Sequence, residues 1–199
     1  IAGVKGLTDN GDGTYTFTMP EGNVTLKATF AQKELKFRSI SLSLESSIAM
    51  NFYVAESSLT DYTDVYILVE KELYDAVGNL LEERATEILV ECENIPVGGV
   101  DSRHYIYSDI TSKEMSSKVY ATIYATVNGI LIAGETREYS VVQYATNMIQ
   151  KVQSPSLNSL LVDLLNYGAA SQIYVGHNTD SLGNAKLTDT QKAWGTATD

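Results

Sequence analysis

The sequence predicts an α+β protein: a β-sandwich-like module with a C-terminal helical hairpin, with a separate β-hairpin ahead of it. Three observations carry that expectation. From Lys33 to Tyr139 apolar residues recur at every second position, the period of a half-buried strand. After Ser140 the period lengthens to about 3.6, that of an amphipathic helix. The 199 residues are 44% hydrophobic and 20% charged, enough apolar material for a core and too much for a disordered chain. The expected division is 1–32 for the hairpin and 33–199 for the module, with strands across 36–139 and helices over about 141–175.

Thr14 to Met19 and Val24 to Phe30 are rich in β-branched and aromatic residues, and Pro20-Glu21-Gly22-Asn23 supplies a turn between them. Asp9-Asn10-Gly11-Asp12-Gly13 has the look of a calcium loop, but Pro20 stands where an EF-hand needs its twelfth-position Glu. A turn that uses glycine's tolerance of positive φ is the better reading.

In the module, Ile40, Leu42 and Leu44 alternate with serines, and Ile48, Met50, Phe52 and Val54 alternate with Ala49, Asn51, Tyr53 and Ala55. These are read as a hairpin with one buried face. Val65, Ile67 and Val69 form a third strand, Gly78-Asn79 a turn, and Pro96-Val97-Gly98-Gly99 an end. Ile88, Val90 and Cys92 are expected on one buried strand face, which makes the lone Cys92 a structural thiol. Asn128-Gly129 between two β runs specifies a two-residue type I′ hairpin over Val119 to Tyr139. An unbroken register then pairs Val127 with Ile130, Ala125 with Ile132 and Ile123 with Gly134 on one face. Tyr124 meets Ala133, Thr122 meets Glu135 and Tyr120 meets Arg137 on the other.

Ser140 with Gln143 reads as a capping box before the stripe Val141, Tyr144, Ala145, Met148, Ile149 and Val152. A second helix starts at Ser154-Pro155 and buries Leu157, Leu160, Leu161, Leu164 and Leu165, with Gly176 as its stop. Gly168, Ala169 and Ala170 are read as a close approach to the small Ala121/Ala125/Gly134 strand face. Thr188 and Gln191 read as a further capping box, opening a helix that carries Trp194.

With 14 Lys+Arg against 25 Asp+Glu the formal charge is −11, so no clustered cations are expected to attract nucleic acid or an anionic membrane surface. No window approaches the ~18 apolar residues of a membrane span. The chain opens at Ile1 without an initiator Met, a basic region or an apolar leader, as expected of a segment of a longer protein. Two histidines, one cysteine and the absence of His-x-x-x-His, Cys-x-x-Cys, Gly-x-Ser-x-Gly or a phosphate loop give no catalytic residues, no metal ligands and no cofactor. His177, Asn178 and Asp180 are spaced so that they could sit near a cation, yet the same residues are ordinary in a loop leaving a helix, which is the reading adopted. The compositional excess is tyrosine, 13 against 4 Phe and 1 Trp. Its flat apolar face and hydroxyl suit sugar stacking, although tyrosine also dresses outer sheet faces through β propensity alone. The register places Tyr120, Thr122, Tyr124, Glu135 and Arg137 together as the candidate ligand face, with a polysaccharide or host glycan as its partner.

Two stretches carry resemblances. NGDGTYTFTMPEGNVTLKATF, Asn10 to Phe30, closely resembles the closing strands of the divergent internalin-type B-repeat family, small β modules strung along Gram-positive surface proteins. It implies that the first segment is a β-hairpin remnant of a repeat domain. SISLSLESSIAMNFYV (Ser39 to Val54), YSVVQYATNMI (Tyr139 to Ile149) and LLNYGAASQIYVGHNTDSLGNAKLT (Leu164 to Thr188) resemble a widespread module of secreted and surface proteins of gut Gram-positive anaerobes. Val175 and His177 depart from the aromatic residues expected at their positions. The two resemblances imply an extracellular or cell-surface location, neighbouring domains in the same chain, and no catalytic residue to carry over. The expected role is a non-catalytic module for adhesion or glycan binding. A structural spacer and an ancillary domain of a glycan-degrading enzyme are the alternatives.

Overall fold

In a computed structural model of the chain, the structure describes residues 34–75, 77–151 and 154–195, and, of the first 33, residues 6, 8–11, 14–18, 21 and 22. Two compact units divide at Lys33/Glu34. In the first, β1 (Thr8–Asp9) pairs antiparallel with β2 (Tyr15–Thr16). Gly11 at φ +78° turns the chain between them, and the Asn10 side chain donates to Thr14 Oγ1 and accepts from Thr16 Oγ1, both at 2.9 Å. The described partner of Tyr15–Thr16 thus precedes it; Val24 to Phe30 lies outside the described residues.

The second unit is an α+β structure of two four-stranded antiparallel sheets followed by helices. Its strands are β3 (Ser39–Ser43), β4 (Ile48–Ala55), β5 (Thr63–Tyr74), β6 (Leu80–Leu89), β7 (Glu91–Val97), β8 (Val100–Ile110), β9 (Val119–Val127) and β10 (Ile130–Tyr139). One sheet has the order β10-β9-β5-β6 and the other β3-β4-β8-β7. Each joins two hairpins through a non-local pair, β5 with β9 and β4 with β8. Ile67, Val69, Ala121, Ile123 and Ala125 of one sheet meet Met50, Phe52, Val54, Tyr105 and Tyr107 of the other in the core. The Tyr105 hydroxyl crosses this core to donate to Val65 O at 3.3 Å, and burial pushes its pKa up to about 12.

Two expectations about the strands need correction. β4 is buried on both faces: Ala49, Asn51 and Tyr53 are as inaccessible as Met50 and Phe52. It is a central strand, and its outer side chains pack against those of the flanking strands β3 and β8. Tyr53 stacks on His104 with ring centres 4.9 Å apart, while His104 Nε2 lies 3.0 Å from Asn51 Oδ1. Ile88, Val90 and Cys92 do not share a strand face. β6 ends at Leu89, and the chain passes to the other sheet at Val90, which is 82% exposed; Ile88 is 60% exposed. A change of sheet breaks the alternation, so the core residue is Leu89, and Cys92 is half-buried with Sγ 3.9 Å from Val90 O.

α1 (Val141–Gln150) follows β10 directly, capped by Ser140 Oγ accepting from Gln143 N at 3.1 Å. Val141, Val142, Ala145 and Ile149 are its buried stripe; Val152 lies outside the described residues. α2 (Pro155–Val175) is capped by Ser154 Oγ accepting from Leu157 N, and ends at Gly176, φ +67°. It buries Leu161, Val162, Leu164, Leu165, Gly168, Ala169 and Gln172, whereas Leu160 points outward and is 50% exposed. Gly168 does mark a close approach, but to a different neighbour. A Cβ there would lie 2.8 Å from Met115 Sδ and 3.4 Å from Ser112 O, in the 3-10 turn between β8 and β9 and not on the alanine-rich strand. The last helix, α3 (Asp189–Lys192), is a single turn closed by the Thr188–Gln191 capping box. Trp194 lies beyond it, on backbone that has passed to a three-residue turn. Among the described residues no helix is long and apolar enough to cross a membrane.

Candidate functional site

The Asn128-Gly129 turn sets the expected register for only four pairs, Ile130 with Val127 through Ala133 with Tyr124. A bulge then intervenes: Gly134 and Glu135 together oppose Ile123, and pairing resumes with Thr136 opposite Thr122, Arg137 opposite Ala121 and Glu138 opposite Tyr120. Its cause is the incoming segment before β3. Glu135 N donates to Leu35 O at 2.8 Å, and a Cβ on Gly134 would lie 2.5 Å from that same oxygen. Only glycine lets Leu35 come so near.

One extra residue in the edge strand shifts every later side chain relative to its partner. Glu135 and Arg137 therefore do not join the tyrosines. The Glu135 carboxylate accepts from Phe37 N at 2.8 Å and from Arg137 Nε at 2.7 Å, and Arg137 lines a cleft of about 190 Å³ with Phe37, Arg38 and Tyr139. Their places beside Thr122 and Tyr120 are taken by Thr136 and Glu138. Thr122 and Thr136 share a hydroxyl–hydroxyl hydrogen bond of 2.9 Å.

Tyr120, Thr122 and Tyr124 do stand together on the outer face of the β10-β9-β5-β6 sheet, partly exposed, opposite the buried Ala121, Ile123 and Ala125. β5 contributes what sequence reading missed. Tyr66 pairs with Tyr124 and stacks on it, centres 5.4 Å apart and planes within 10°. Leu68 lies between Thr122 and Ile88, and Ile88 is 60% exposed. Neither the Tyr66 nor the Tyr124 hydroxyl has a hydrogen-bond partner among the described residues. The signal for Tyr66 and Leu68 is present in the alternation of Val65, Ile67 and Val69, since the intervening side chains must face outward. Which strand they face is set by the pairing of Ile67 with Ile123, 56 residues away, which local pattern does not encode.

The other end of this face is tied down. Glu72, 7% exposed, accepts from the Tyr74 hydroxyl at 2.8 Å, from Lys118 N at 3.0 Å and from the Tyr120 hydroxyl at 3.3 Å. Burial first, and the Glu72 charge second, raise the Tyr120 pKa; burial and the Glu72 hydrogen bond push Tyr74 up to about 12. The Arg84 guanidinium lies 4.0 Å over the Tyr120 ring, a cation–π contact. Tyr120 is thus fixed by its hydroxyl and covered on one side by Arg84, while Tyr66 and Tyr124 are partly exposed and have no such tie among the described residues.

His177 of the loop after α2 is turned into the protein. It is 3% exposed and packs edge-on against Tyr74, with centres 5.1 Å apart. Among the described residues no group of His, Cys, Asp or Glu is placed to hold a metal ion. Compared with known proteins, the chain matches no family model, and no curated protein matches it.

Proposed function

We propose that this chain is a non-catalytic module of a multidomain cell-surface or secreted bacterial protein, and that it binds glycans through the outer face of its β10-β9-β5-β6 sheet. The observation that carries this reading is the Tyr66–Tyr124 stack, held at 5.4 Å by strand pairing, with two hydroxyls unpartnered among the described residues and the exposed Ile88 on the same face, opposite Leu68. Rigid tyrosines lose little entropy when they bind, and they combine an apolar face with a hydrogen-bonding tip. Tyr120 and Tyr124, four residues apart on one strand, are about 13–14 Å apart, a span of two to three sugar rings. Glu70, on β5 between Tyr120 and Thr86, and Arg84, opposite Glu72 on the edge strand β6, supply an acceptor and a donor for sugar hydroxyls.

A structural spacer is the second reading, favoured by the rings' own contacts: Tyr66 and Tyr124 cover each other, and Arg84 covers Tyr120. Calorimetry or affinity electrophoresis against starch, mannan, xylan and mucin glycans separates the two. A glycan module is expected to bind at least one with a dissociation constant of roughly 10 μM to 1 mM. Tyr124→Ala and Tyr66→Ala should each remove that binding. Binding that survives both substitutions would move the site elsewhere, and no binding to any glycan would favour the spacer.

A further inference from the structure

We propose that a polar cleft near the start of α1 is a second ligand site, one that takes a polyhydroxylated carboxylate of the uronic or sialic acid class. The cleft has a volume of about 520 Å³, within the range of small-molecule sites. Three pieces of chain form its walls: Ser116 and Lys118 just ahead of β9, the end of β10 running into α1, and the loop after α2. It does not depend on the glycan reading of the sheet face, from which it differs in chemistry because no aromatic ring lines it.

Part of the lining is already committed to the fold. Ser140 Oγ caps α1, Ser116 Oγ accepts from Gln172 Nε2 at 3.3 Å, and Lys118 is paired with Glu138 at 2.9 Å. What remains is a set of unengaged groups: the side-chain amides of Gln143 and Asn147, the Ser181 hydroxyl and the Lys186 ammonium, none with a side-chain partner among the described residues. Gln143 and Asn147 are four apart on α1, so their side chains share a helix face. An amide both donates and accepts, as a sugar hydroxyl does, so two amides and a hydroxyl can read the edge of a pyranose.

Charge selects the acid over the neutral sugar. The lining carries two lysines against one glutamate, in a chain whose formal charge is −11. Because Glu138 already answers Lys118, the excess cation is Lys186. A ring carboxylate would neutralise Lys186 while the hydroxyls engage the amides. A bare phosphate or sulfate would use the lysine alone and leave three polar groups unanswered.

The test is a nitrogen-15 NMR titration of the 199-residue chain with glucuronate, galacturonate and N-acetylneuraminate, with glucose and inorganic phosphate as controls. At least one acid should shift the Gln143 and Asn147 side-chain amides, and should bind about tenfold more tightly than glucose. Lys186→Ala should erase the preference for the acid, whereas Gln143→Ala and Asn147→Ala should each weaken it by about three- to tenfold. All three side chains are outside the core, and unchanged thermal melts would establish that the variants remain folded. Unshifted amides at about 20 mM of every acid overturn the proposal. Equal affinity for glucose overturns the role given to Lys186, and equal affinity for phosphate reduces the cleft to a simple anion contact. Shifts confined to Tyr66 and Tyr124 assign the ligand to the sheet face and not to the cleft, so failure here and failure of the sheet-face reading remain distinguishable.

Discussion

The outer face of the β10-β9-β5-β6 sheet and the clasp around the loop after α2 are both built from polar and aromatic side chains, but they direct their hydrogen bonds differently. In the clasp the side chains of Gln172, Asn184, Asn166, Ser171 and Ser112 bond within the protein. Gln172 is 0% exposed; its Nε2 donates to Ser181 O at 2.9 Å and Asn178 O at 3.2 Å, and its Oε1 accepts from Gly183 N at 2.8 Å. Asn184 Nδ2 donates to Asn166 Oδ1, and Ser171 shares a 2.7 Å bond with Ser112. On the sheet face the Tyr66 and Tyr124 rings hold each other while their hydroxyls are left to solvent or a ligand. Polar groups satisfied internally build structure; those held in place but unsatisfied are what a ligand can use. Asn166, Gly168, Gln172, Gly176 and Gly183 therefore have structural tasks, and all lie in the stretch Leu164 to Thr188.

This contrast ranks the effects of substitution. Gln172→Leu should have the largest, because a slightly smaller apolar side chain leaves a buried N–H and two carbonyls unpaired. A loss of at least about 3 kcal/mol is expected in a denaturant melt. Leu161→Ala should cost roughly 2–5 kcal/mol through the cavity it opens, and Gly168→Leu should be of similar weight, since its Cβ alone meets Met115 Sδ at 2.8 Å. A Gln172→Leu variant as stable as the parent would show that the loop is held without the clasp.

A smaller, pH-dependent effect follows from His177. Burial, and secondarily the Lys113 charge, lower its pKa, against the opposing pull of Glu114 and Asp75; Tyr74 packs on its ring. Its Nε2 is buried without a partner, so a proton there is poorly received. The folded-state pKa lies below the unfolded value of about 6.5, so the unfolded chain takes up the proton first. Stability is then full above about pH 6.5 and declines as pH falls through the folded-state pKa. His104, also lowered by burial, adds a slope of the same sign. His177→Gln should flatten the stability profile between about pH 7 and pH 5 without abolishing it. An unaltered slope would exclude His177 as a contributor.

Much of this was legible in the sequence, and what was not has a consistent cause. The change of period at Ser140, the caps at Ser140, Ser154 and Thr188, the Gly176 stop and the Asn128-Gly129 turn are all local, and each stands where pattern places it. The misread features depend on another part of the chain. The bulge at Gly134-Glu135 exists because Leu35 arrives there from 99 residues away, and it separates Glu135 and Arg137 from the tyrosines. The passage between sheets at Val90 likewise reversed the inside and outside of Ile88 and Leu89. Tyr120 and Tyr124 share a strand and could be grouped from sequence, whereas Tyr66 could join them only through a non-local pairing.

The smallest expected change in stability coincides with the largest expected change in binding, and that pairing tests the account most directly. Tyr124→Ala removes one ring from a partly exposed stack and should cost only about 0.5–1.5 kcal/mol in a melt. In the same preparation, calorimetric titration with the tightest-binding glycan of the panel should show affinity reduced by at least about tenfold. A folded Tyr124→Ala protein that binds that glycan as the parent does would contradict the assignment of the sheet face as the ligand surface.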